Sequence, residues 1–177
     1  MESEKILYTA AEGAGTVVYV ARDGSFLGSV LISDEEKPTA GTAMQGLQAQ
    51  GVRTVMLTGD APAVAELVAK DLGIDEVHAG LLPADKVEWV EKLLGQKPAK
   101  KELAFVGDGI NDAPALTRAE TGIAIGAGAD VALDAADVVL VRSDLADVPA
   151  AVRLSRAVVR NIHQNLFWAF FYNAVCI

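Results

Sequence analysis

Residues 104–116 have the sequence AFVGDGINDAPAL, in which an apolar run leads directly into a turn rich in oxygen-bearing side chains. Asp108, Asn111 and Asp112 stand within five positions, and two glycines accompany them. An ordinary turn needs only one Asp or Asn and one glycine. Because carboxylates that face one turn repel each other unless a cation joins them, and because Mg²⁺ prefers hard oxygen ligands, the stretch predicts a strand, a cation-binding turn and a helix.

A second stretch has the same order of apolar strand, Gly-Asp and helix. Residues 55–63 have the sequence VMLTGDAPA, and here Thr58 adds a hydroxyl that can donate a hydrogen bond to a phosphoryl oxygen. Between the two turns lies LPADK, residues 82–86, in which Lys86 stands near the start of a predicted helix and can neutralise a phosphate charge. In open parallel sheets, ligands bind where such strand-to-helix turns meet.

Together these parts describe phosphoryl transfer. A hydroxyl and a lysine hold the phosphoryl group, while a cation held by carboxylates offsets its charge. Two parts also have plainer explanations. The segment Thr58–Asp60 can be a turn with a helix cap, and Lys86 can be a solvated helix residue.

Short apolar strands alternate with helices along most of the chain. Strands are predicted at 54–57, 76–79, 103–106, 121–125 and 138–141. Helices are predicted at 37–50, 61–72, 83–94, 112–119 and from about 145 onward, with Gly51, Gly73 and Gly95 ending the first three. This alternation is typical of an α/β fold with a parallel sheet covered by helices on both faces. Before it, residues 15–33 predict a β-hairpin that turns at Asp23-Gly24.

The composition excludes several classes of protein. With 177 residues, of which 51% are hydrophobic, the chain can build one core of ordinary size. A net charge of −9 argues against nucleic-acid binding, which needs a clustered basic surface. The single cysteine, Cys176, allows no disulfide framework and favours a reducing compartment. The first 15 residues lack the basic and apolar regions of a signal peptide.

The last residues, 166–177, form the nearly unbroken apolar run LFWAFFYNAVCI. A membrane-spanning helix needs about 20 such residues, so we expect the truncated start of one, with a buried C-terminal helix as the alternative. Arg153, Arg156 and Arg160 fit the cytosolic flank of a membrane helix. These features predict a membrane segment at the end of the chain, with residues 1 to about 160 on the cytoplasmic side.

The order of Thr58-Gly59-Asp60, Lys86 and GDGINDAP at 107–114 resembles the phosphorylation domain of P-type ATPases. The resemblance covers almost the whole chain and implies the haloacid-dehalogenase-like, Rossmannoid fold. Residues 33–38, SDEEKP, resemble the family's Asp-x-x-Arg/Lys-Pro segment, where the chain leaves the nucleotide-binding domain. The implied parts are the last strands of the nucleotide-binding domain (1–33), the phosphorylation domain (34–150), and a linker helix with a truncated transmembrane segment (151–177). The resemblance also implies that the full-length protein is a multi-pass membrane protein.

The resemblance also implies a role for each matching residue, with Mg²⁺ and ATP as cofactors. Asp108 and Asp112 would hold Mg²⁺, and Asn111 would support the same site. Thr58 and Lys86 would contact the phosphoryl group. The other implied residues shape the loops or lie near the nucleotide: Gly59, Asp60, Gly107, Gly109 and Asp34.

The family's phosphorylated aspartate, in Asp-Lys-Thr-Gly-Thr, has no counterpart in this sequence. The only Asp-Lys pair, Asp85-Lys86, is followed by Val87 at a predicted helix start. We therefore expect the nucleophile strand before Met1, and no ATP turnover by this chain alone, although the full-length protein would be an ion-translocating ATPase.

The identity of the transported ion is indicated by two stretches that disagree. The cytosolic stretch looks closest to zinc/cadmium transporters, whereas residues 165–173 resemble the copper-transporting members, in which a Tyr-Asn pair, here Tyr172 and Asn173, helps to hold Cu(I). Because metal choice is made in the membrane, we favour copper. Both residues can instead serve as an interfacial aromatic and a helix–helix hydrogen bond. Cys176 can bind a soft metal but is not assigned a role. His78 and His163 are expected to be ordinary surface residues rather than ligands.

Two further functions remain open. A soluble Mg²⁺-dependent phosphatase of the same superfamily would need an N-terminal nucleophile strand and a polar C-terminus. A non-catalytic module would keep the fold and bind Mg²⁺ or nucleotide for regulation. In the favoured hypothesis the partners are the transported soft metal ion, the membrane, and the nucleotide-binding and membrane domains of the same polypeptide, with no nucleic acid.

Overall fold

A computed structural model describes residues 16–32, 37–107, 110–126 and 134–176. The chain divides into two compact units between Glu36 and Lys37. The candidate residues Asp34, Asp108 and Gly109 lie outside the described residues.

The first unit contains the predicted hairpin. Strand β1 (Thr16–Arg22) pairs antiparallel with β2 (Ser25–Ile32), with one irregularity in the register after Val20. Both turn residues have positive φ, 51° at Asp23 and 76° at Gly24, as the tight turn of a two-residue hairpin requires. The sequence prediction of a turn at Asp23-Gly24 is confirmed.

The second unit alternates strands and helices. Its strands are β3 (Val55–Leu57), β4 (Glu76–His78), β5 (Ala104–Gly107), β6 (Thr121–Ile125) and β7 (Val138–Leu140). Its helices are α1 (Ala40–Gln48), α2 (Pro62–Leu72), α3 (Pro83–Gln96), α4 (Ala113–Arg118) and α5 (Asp147–Cys176), and a 3-10 turn (Ile110–Asp112) precedes α4. All strand pairs in this unit are parallel, which confirms the predicted α/β class.

The parallel strands form two ladders instead of the single predicted sheet. One ladder is β3–β4 and the other is β5–β6–β7. Among the described residues, no strand of one ladder pairs with a strand of the other. Within the described ranges, β3 and β5 therefore each pair along one edge only, β3 with β4 and β5 with β6.

The buried side chains concentrate around β6 and the helix before it. Ile123, Ala124 and Ile125 are each less than 5% exposed, and Leu116 of α4 is 1% exposed. Burial of such side chains contributes about 1.5–3 kcal/mol each for the larger ones. Because β6 pairs with β5, this core fixes the end of β5 at Gly107.

Helix α3 is longer than the sequence predicts. We expected Gly95 to end it, but Gly95 lies inside the helix, which continues to Gln96. The helix ends at Lys97, whose backbone is extended (ψ 148°) because the next residue is Pro98. The exposed position of Gly95 explains why the helix tolerates a glycine there.

Helix α5 buries side chains against the domain at its beginning, and further along Arg156 donates a hydrogen bond to the Gln50 carbonyl oxygen over 2.9 Å. Val148 is buried beside Leu47 and Ile125, and Pro149 lies against Gly46 of α1. From Arg153 to Cys176 every residue is exposed. The alternative of a buried C-terminal helix is therefore wrong for this chain. Within the described ranges, none of the helices combines the length and apolarity needed to cross a bilayer.

Candidate functional site

The turn after β3 is closed by its own side chains. The Thr58 hydroxyl donates to Oδ2 of Asp60 over 2.6 Å and accepts from the Asp60 amide over 3.1 Å, with Gly59 between them. The next helix begins at Pro62 with Ala61 as its N-cap, and no side chain caps it. The alternative that Thr58–Asp60 caps this helix is therefore wrong, and the Thr58 hydroxyl instead lies at the carboxyl end of a parallel strand.

The loop that follows β4 supports this turn through the backbone. The amide of Gly80 donates to the Asp60 carbonyl oxygen (2.8 Å), and the amide of Leu81 donates to the Thr58 carbonyl oxygen (3.0 Å). Neither Gly80 nor Leu81 is among the site residues that the sequence predicts. The available signal was a glycine between a short strand and a Leu-Leu-Pro helix start, and in the structure this glycine has φ 68°.

Lys86 and Asp112 form the second cluster. Nζ of Lys86 donates to Oδ1 of Asp112 over 2.8 Å, and the two side chains are only 17% and 13% exposed. The pair joins the first turn of α3 to the 3-10 turn after β5. The alternative that Lys86 is a solvated helix residue is therefore wrong.

Gly107 makes room for Asp112. A Cβ atom at Gly107 would lie 2.7 Å from the Cβ of Asp112 and 3.0 Å from its Oδ2, closer than side chains pack. Any other residue at the end of β5 would displace the Asp112 carboxylate. Within the chain itself, Gly107 therefore leaves the space that the Asp112 side chain occupies.

The oxygen-bearing side chains after β5 suit Mg²⁺, and the structure describes two of the three, Asn111 and Asp112. Asp112 is held as above, and Asn111 is exposed at the surface of the 3-10 turn. Asp108, the third predicted donor, is outside the described part of the chain. In the described ranges, no group of three or more His, Cys, Asp or Glu side chains could hold a metal ion. Mg²⁺ is often bound by one or two carboxylates with substrate phosphate and water, so this donor set fits it.

The two clusters are connected through the backbone of one short loop. Leu81, whose amide holds the Thr58 carbonyl, is followed by Leu82, the N-cap of the helix that carries Lys86. In the part of the chain that the structure describes, no side-chain hydrogen bond or ion pair joins Thr58 or Asp60 to Lys86 or Asp112.

Asp85 serves the start of α3. Its Oδ2 accepts from the Leu82 amide over 2.8 Å, and this contact satisfies a free amide at the helix start. The position of Asp85-Lys86 at a helix start is confirmed.

His78 differs from its prediction as a surface residue. Its side chain is 18% exposed, its Nε2 lies 2.7 Å from Oε1 of Glu76, and its ring stacks on Trp89. The available signal was the i, i+2 spacing of Glu76 and His78, which puts both on one side of a strand.

The residues of the tail lie on the exposed part of α5. Tyr172 is 68% exposed, and Nδ2 of the Asn173 side chain donates to the Ala169 carbonyl oxygen one turn earlier, over 2.8 Å. Phe167, Trp168 and Phe171 contact one another edge-on or stacked.

Comparison with known families and proteins agrees with this architecture. A family model described as haloacid dehalogenase-like hydrolase matches residues 2–120. The chain is 47% identical over 170 residues to a copper-exporting P-type ATPase of Staphylococcus haemolyticus, covering 96% of this chain and 21% of that protein. It is 49% identical over 160 residues to a silver-exporting P-type ATPase of Salmonella typhimurium, covering 90% of this chain and 19% of that protein.

A solved structure shares the same fold. The crystal structure of a zinc-transporting PIB-type ATPase in the E2.Pi state superposes with a TM-score of 0.72 at 47% identity, covering 84% of this chain and 24% of that one. The chain thus spans about a fifth of the length of the curated relatives that it matches.

Proposed function

This chain belongs to the haloacid dehalogenase-like hydrolase family and matches the phosphorylation region of heavy-metal P-type ATPases, and from that premise we propose that it forms the Mg²⁺- and phosphoryl-binding part of a copper-translocating P-type ATPase. The observation that carries the proposal is the Lys86–Asp112 ion pair. It holds an ammonium group and a carboxylate together, both mostly buried, next to the end of β5.

In the proposed reaction the phosphoryl group replaces partners within the chain. Lys86 turns its ammonium from Asp112 to a phosphoryl oxygen, and Asp112 becomes available to Mg²⁺ together with Asp108 and Asn111. Thr58 turns its hydroxyl from Asp60 to a second phosphoryl oxygen. Mg²⁺, when bound, offsets the negative charge of the phosphoryl group.

Each partner exchange keeps polar groups satisfied. Lys86 and Asp112 pair with each other without ligand, so neither is left as an unpaired charge in a site with little water. The Thr58 hydroxyl is likewise satisfied by Asp60. The proposed site thus stays stable when empty and can still bind phosphate without unfolding.

The two separate ladders support the further proposal that a strand from elsewhere in the polypeptide bears the nucleophile. Strands β3 and β5 each lack a partner on one edge among the described strands. A strand carrying Asp-Lys-Thr-Gly-Thr that paired with both would join the ladders into one sheet. Its carboxyl end would then lie beside Thr58 and Gly107, and its aspartate would attack the γ-phosphate of ATP.

We also propose that residues 1–33 belong to the nucleotide-binding domain, 34–150 to the phosphorylation domain, and 151–177 to a helix that leads into the membrane. The support for the last part is the exposed aromatic cluster of Phe167, Trp168 and Phe171. Asp34, Gly59 and Asp60 complete the proposed nucleotide and phosphoryl loops, with Gly107 and Gly109 in the second turn.

Copper is the proposed cargo, held in part by Tyr172 and Asn173. Of the relatives described above, the Staphylococcus haemolyticus protein exports copper and the Salmonella typhimurium protein exports silver, whereas the structural relative transports zinc. Zinc or cadmium therefore stays the alternative, favoured by that likeness. A soluble phosphatase or a regulatory module remains a weaker alternative, because the matched curated relatives are transporters.

The testing experiment measures ATP hydrolysis by the complete transporter under Cu(I), Ag(I) and Zn²⁺. The proposal expects stimulation by Cu(I) and Ag(I) that is lost in Lys86→Ala. Stimulation of ATP hydrolysis by Zn²⁺ alone would identify zinc, and not copper, as the transported ion. The isolated chain is expected to bind inorganic phosphate with Mg²⁺ but not to turn over ATP, and ATPase activity sensitive to aluminium fluoride in the isolated chain would refute that division of labour.

A further inference from the structure

Trp89 of α3 is enclosed by two side chains. The imidazole of His78 stacks on its indole, with the ring centroids 3.5 Å apart and the planes 18° apart. Nζ of Lys92 lies 3.7 Å from the centre of the Trp89 ring. Trp89 thus contacts one side chain from strand β4 and one from its own helix.

His78 also contacts the carboxylate of Glu76 on the same strand. Its Nε2 lies 2.7 Å from Oε1 of Glu76, and the other oxygen of Glu76 pairs with Arg53. The side chains of His78 and Glu76 are 18% and 27% exposed. The stack thus joins strand β4 to helix α3 through two rings of fixed orientation.

Strand β4 also fixes the Thr58 turn. The Thr58 amide donates to the carbonyl oxygen of His78 over 3.0 Å, so the backbone of the stacked histidine is the direct support of Thr58. The amides of Gly80 and Leu81, just beyond, hold the carbonyls of Asp60 and Thr58. A shift of His78 is therefore transmitted to the Thr58 hydroxyl.

Helix α3 fixes Lys86 in the same way. Trp89 stands three residues after Lys86, and residues at this spacing are neighbours on one side of a helix. Rotation or translation of α3 against β4 would move Lys86 relative to Thr58. The stacked rings oppose that motion one helical turn from Lys86.

We infer that His78 and Trp89 are positioning residues that set the separation between Thr58 and Lys86, so that both contact one phosphoryl group. The inference rests on the proposed function for its consequence, and on the geometry above for the connection itself. Since Thr58 and Lys86 come from different elements, a displacement of about 1 Å between them is costly to binding and reaction.

A purely structural role would have a different signature. It would lower the stability of the chain, while folded molecules would bind phosphate as before. A positioning role lowers the phosphate affinity of the folded protein and is rescued by a residue that retains the stack. Trp89→Phe retains an aromatic face opposite His78, whereas Trp89→Leu does not.

The experiment measures binding of inorganic phosphate to the 177-residue chain with Mg²⁺, by ³¹P NMR line broadening. Variants whose far-ultraviolet circular dichroism matches the wild type are compared. We expect about fivefold weaker binding in His78→Leu and in Trp89→Leu, as loss of a stacked pair implies, and less than a twofold change in Trp89→Phe. The control is Arg118→Ala, which breaks the ion pair between Arg118 of α4 and Glu91 of α3 and is expected to leave phosphate binding unchanged. Wild-type affinity in both Leu variants, or an equal loss in the control, would overturn the inference.

A second measurement separates this inference from the proposed function. If the wild-type chain does not bind phosphate, the proposed function fails for the isolated chain. The amide signals of Thr58 and Lys86 in a ¹⁵N–¹H spectrum then decide the inference. Both should shift in Trp89→Leu and return in Trp89→Phe, and an unmoved Thr58 signal in Trp89→Leu would overturn it. If His78→Leu fails to fold, His78→Gln, which keeps a polar group near Glu76 without the stack, replaces it with the same expected outcome.

Discussion

Nζ of Lys86 donates to Oδ1 of Asp112 over 2.8 Å, so a proposed phosphoryl ligand and a proposed Mg²⁺ ligand neutralise each other. In the proposed exchange, a phosphate that binds Lys86 displaces Asp112, and the released carboxylate is then free for Mg²⁺. The pairing therefore couples the two ligands, and each should favour the binding of the other.

Asp112→Asn tests this coupling. The amide keeps the shape of the side chain but loses its charge, so Mg²⁺ should raise phosphate affinity far less than in the wild type. We expect a loss of about tenfold in the Mg²⁺-dependent gain, measured by titration of phosphate at several Mg²⁺ concentrations. Lys97→Met, which removes the ion pair with Glu120, serves as the control and should leave the gain intact. An undiminished gain in Asp112→Asn would exclude Asp112 from the coupling.

Gly107→Ala tests the close approach of β5 to Asp112. The added methyl group would lie 2.7 Å from the Cβ of Asp112, so the carboxylate must move or the strand must shift. We expect a loss of about 1–3 kcal/mol in the free energy of unfolding, together with weaker phosphate binding. Urea denaturation and phosphate titration measure the two effects.

Gly95→Ala is the matched control for that substitution. A Cβ at Gly95 would meet nothing within 4 Å, and the residue lies inside α3. The variant should gain about 0.5–1 kcal/mol in the free energy of unfolding, with unchanged phosphate binding. If both alanine variants behave alike, the crowding at Gly107 does not explain its glycine.

Thr58→Val removes the hydroxyl and nearly preserves its volume. Phosphate affinity should fall about tenfold, because one hydrogen bond to the phosphoryl group is lost. Thr58→Ser keeps the hydroxyl and should retain most of the binding. Equal loss in both variants would mean that the methyl group, rather than the hydroxyl, supports the site.

Much of the fold follows from local sequence signals. The hairpin turn at Asp23-Gly24 needs two residues with positive φ, and the sequence supplies the pair that tolerates them. The range of β6, Thr121–Ile125, also matches its prediction, because a short apolar run is bounded by a helix end and a glycine. Such elements are decided by neighbouring residues.

Other features depend on partners distant in sequence. The end of α3 is set by the Lys97-Pro98 dipeptide and not by Gly95, although both signals were present. The burial of Lys86 follows from Asp112, 26 residues later, and that of His78 from Trp89 on another element. A single sequence predicts which residues can bind phosphate, but not which of them are paired when the ligand is absent.

The Asp75 carboxylate makes the stability of the chain depend on pH in the acid range. The backbone amide of Thr54 and then its hydroxyl donate to the Asp75 carboxylate over 2.7 and 2.9 Å, which lowers the pKa of Asp75, while partial desolvation opposes the shift. A lowered pKa in the folded state stabilises the protein above the ordinary value of about 4, and this contribution disappears as the pH falls through the lowered pKa. The difference in urea midpoint between wild type and Asp75→Asn should therefore be largest near neutral pH and shrink below about pH 4.

The control for that titration is Asp71→Asn, an exposed aspartate near the end of α2. It removes one carboxylate charge from an exposed position and should change the urea midpoint at neutral pH much less than Asp75→Asn does. A difference for Asp75→Asn that stays constant down to about pH 2 would show that the hydrogen bonds from Thr54 do not depend on the charge of the carboxylate.

The exposed end of α5 should bind lipid if this helix leads into a membrane. Trp168 is 62% exposed and contacts Phe167 and Phe171, so insertion would move its indole from water into an apolar environment. In a Trp89→Phe background, where Trp168 is the single tryptophan, we expect its emission to shift to shorter wavelength on addition of phosphatidylcholine–phosphatidylglycerol vesicles. Phe171→Ser should weaken that shift, because it removes an aromatic ring from the cluster, whereas Leu67→Ser, an exposed apolar position on α2, should not. Emission that does not respond to vesicles would argue that another protein surface, and not lipid, covers this part of the helix.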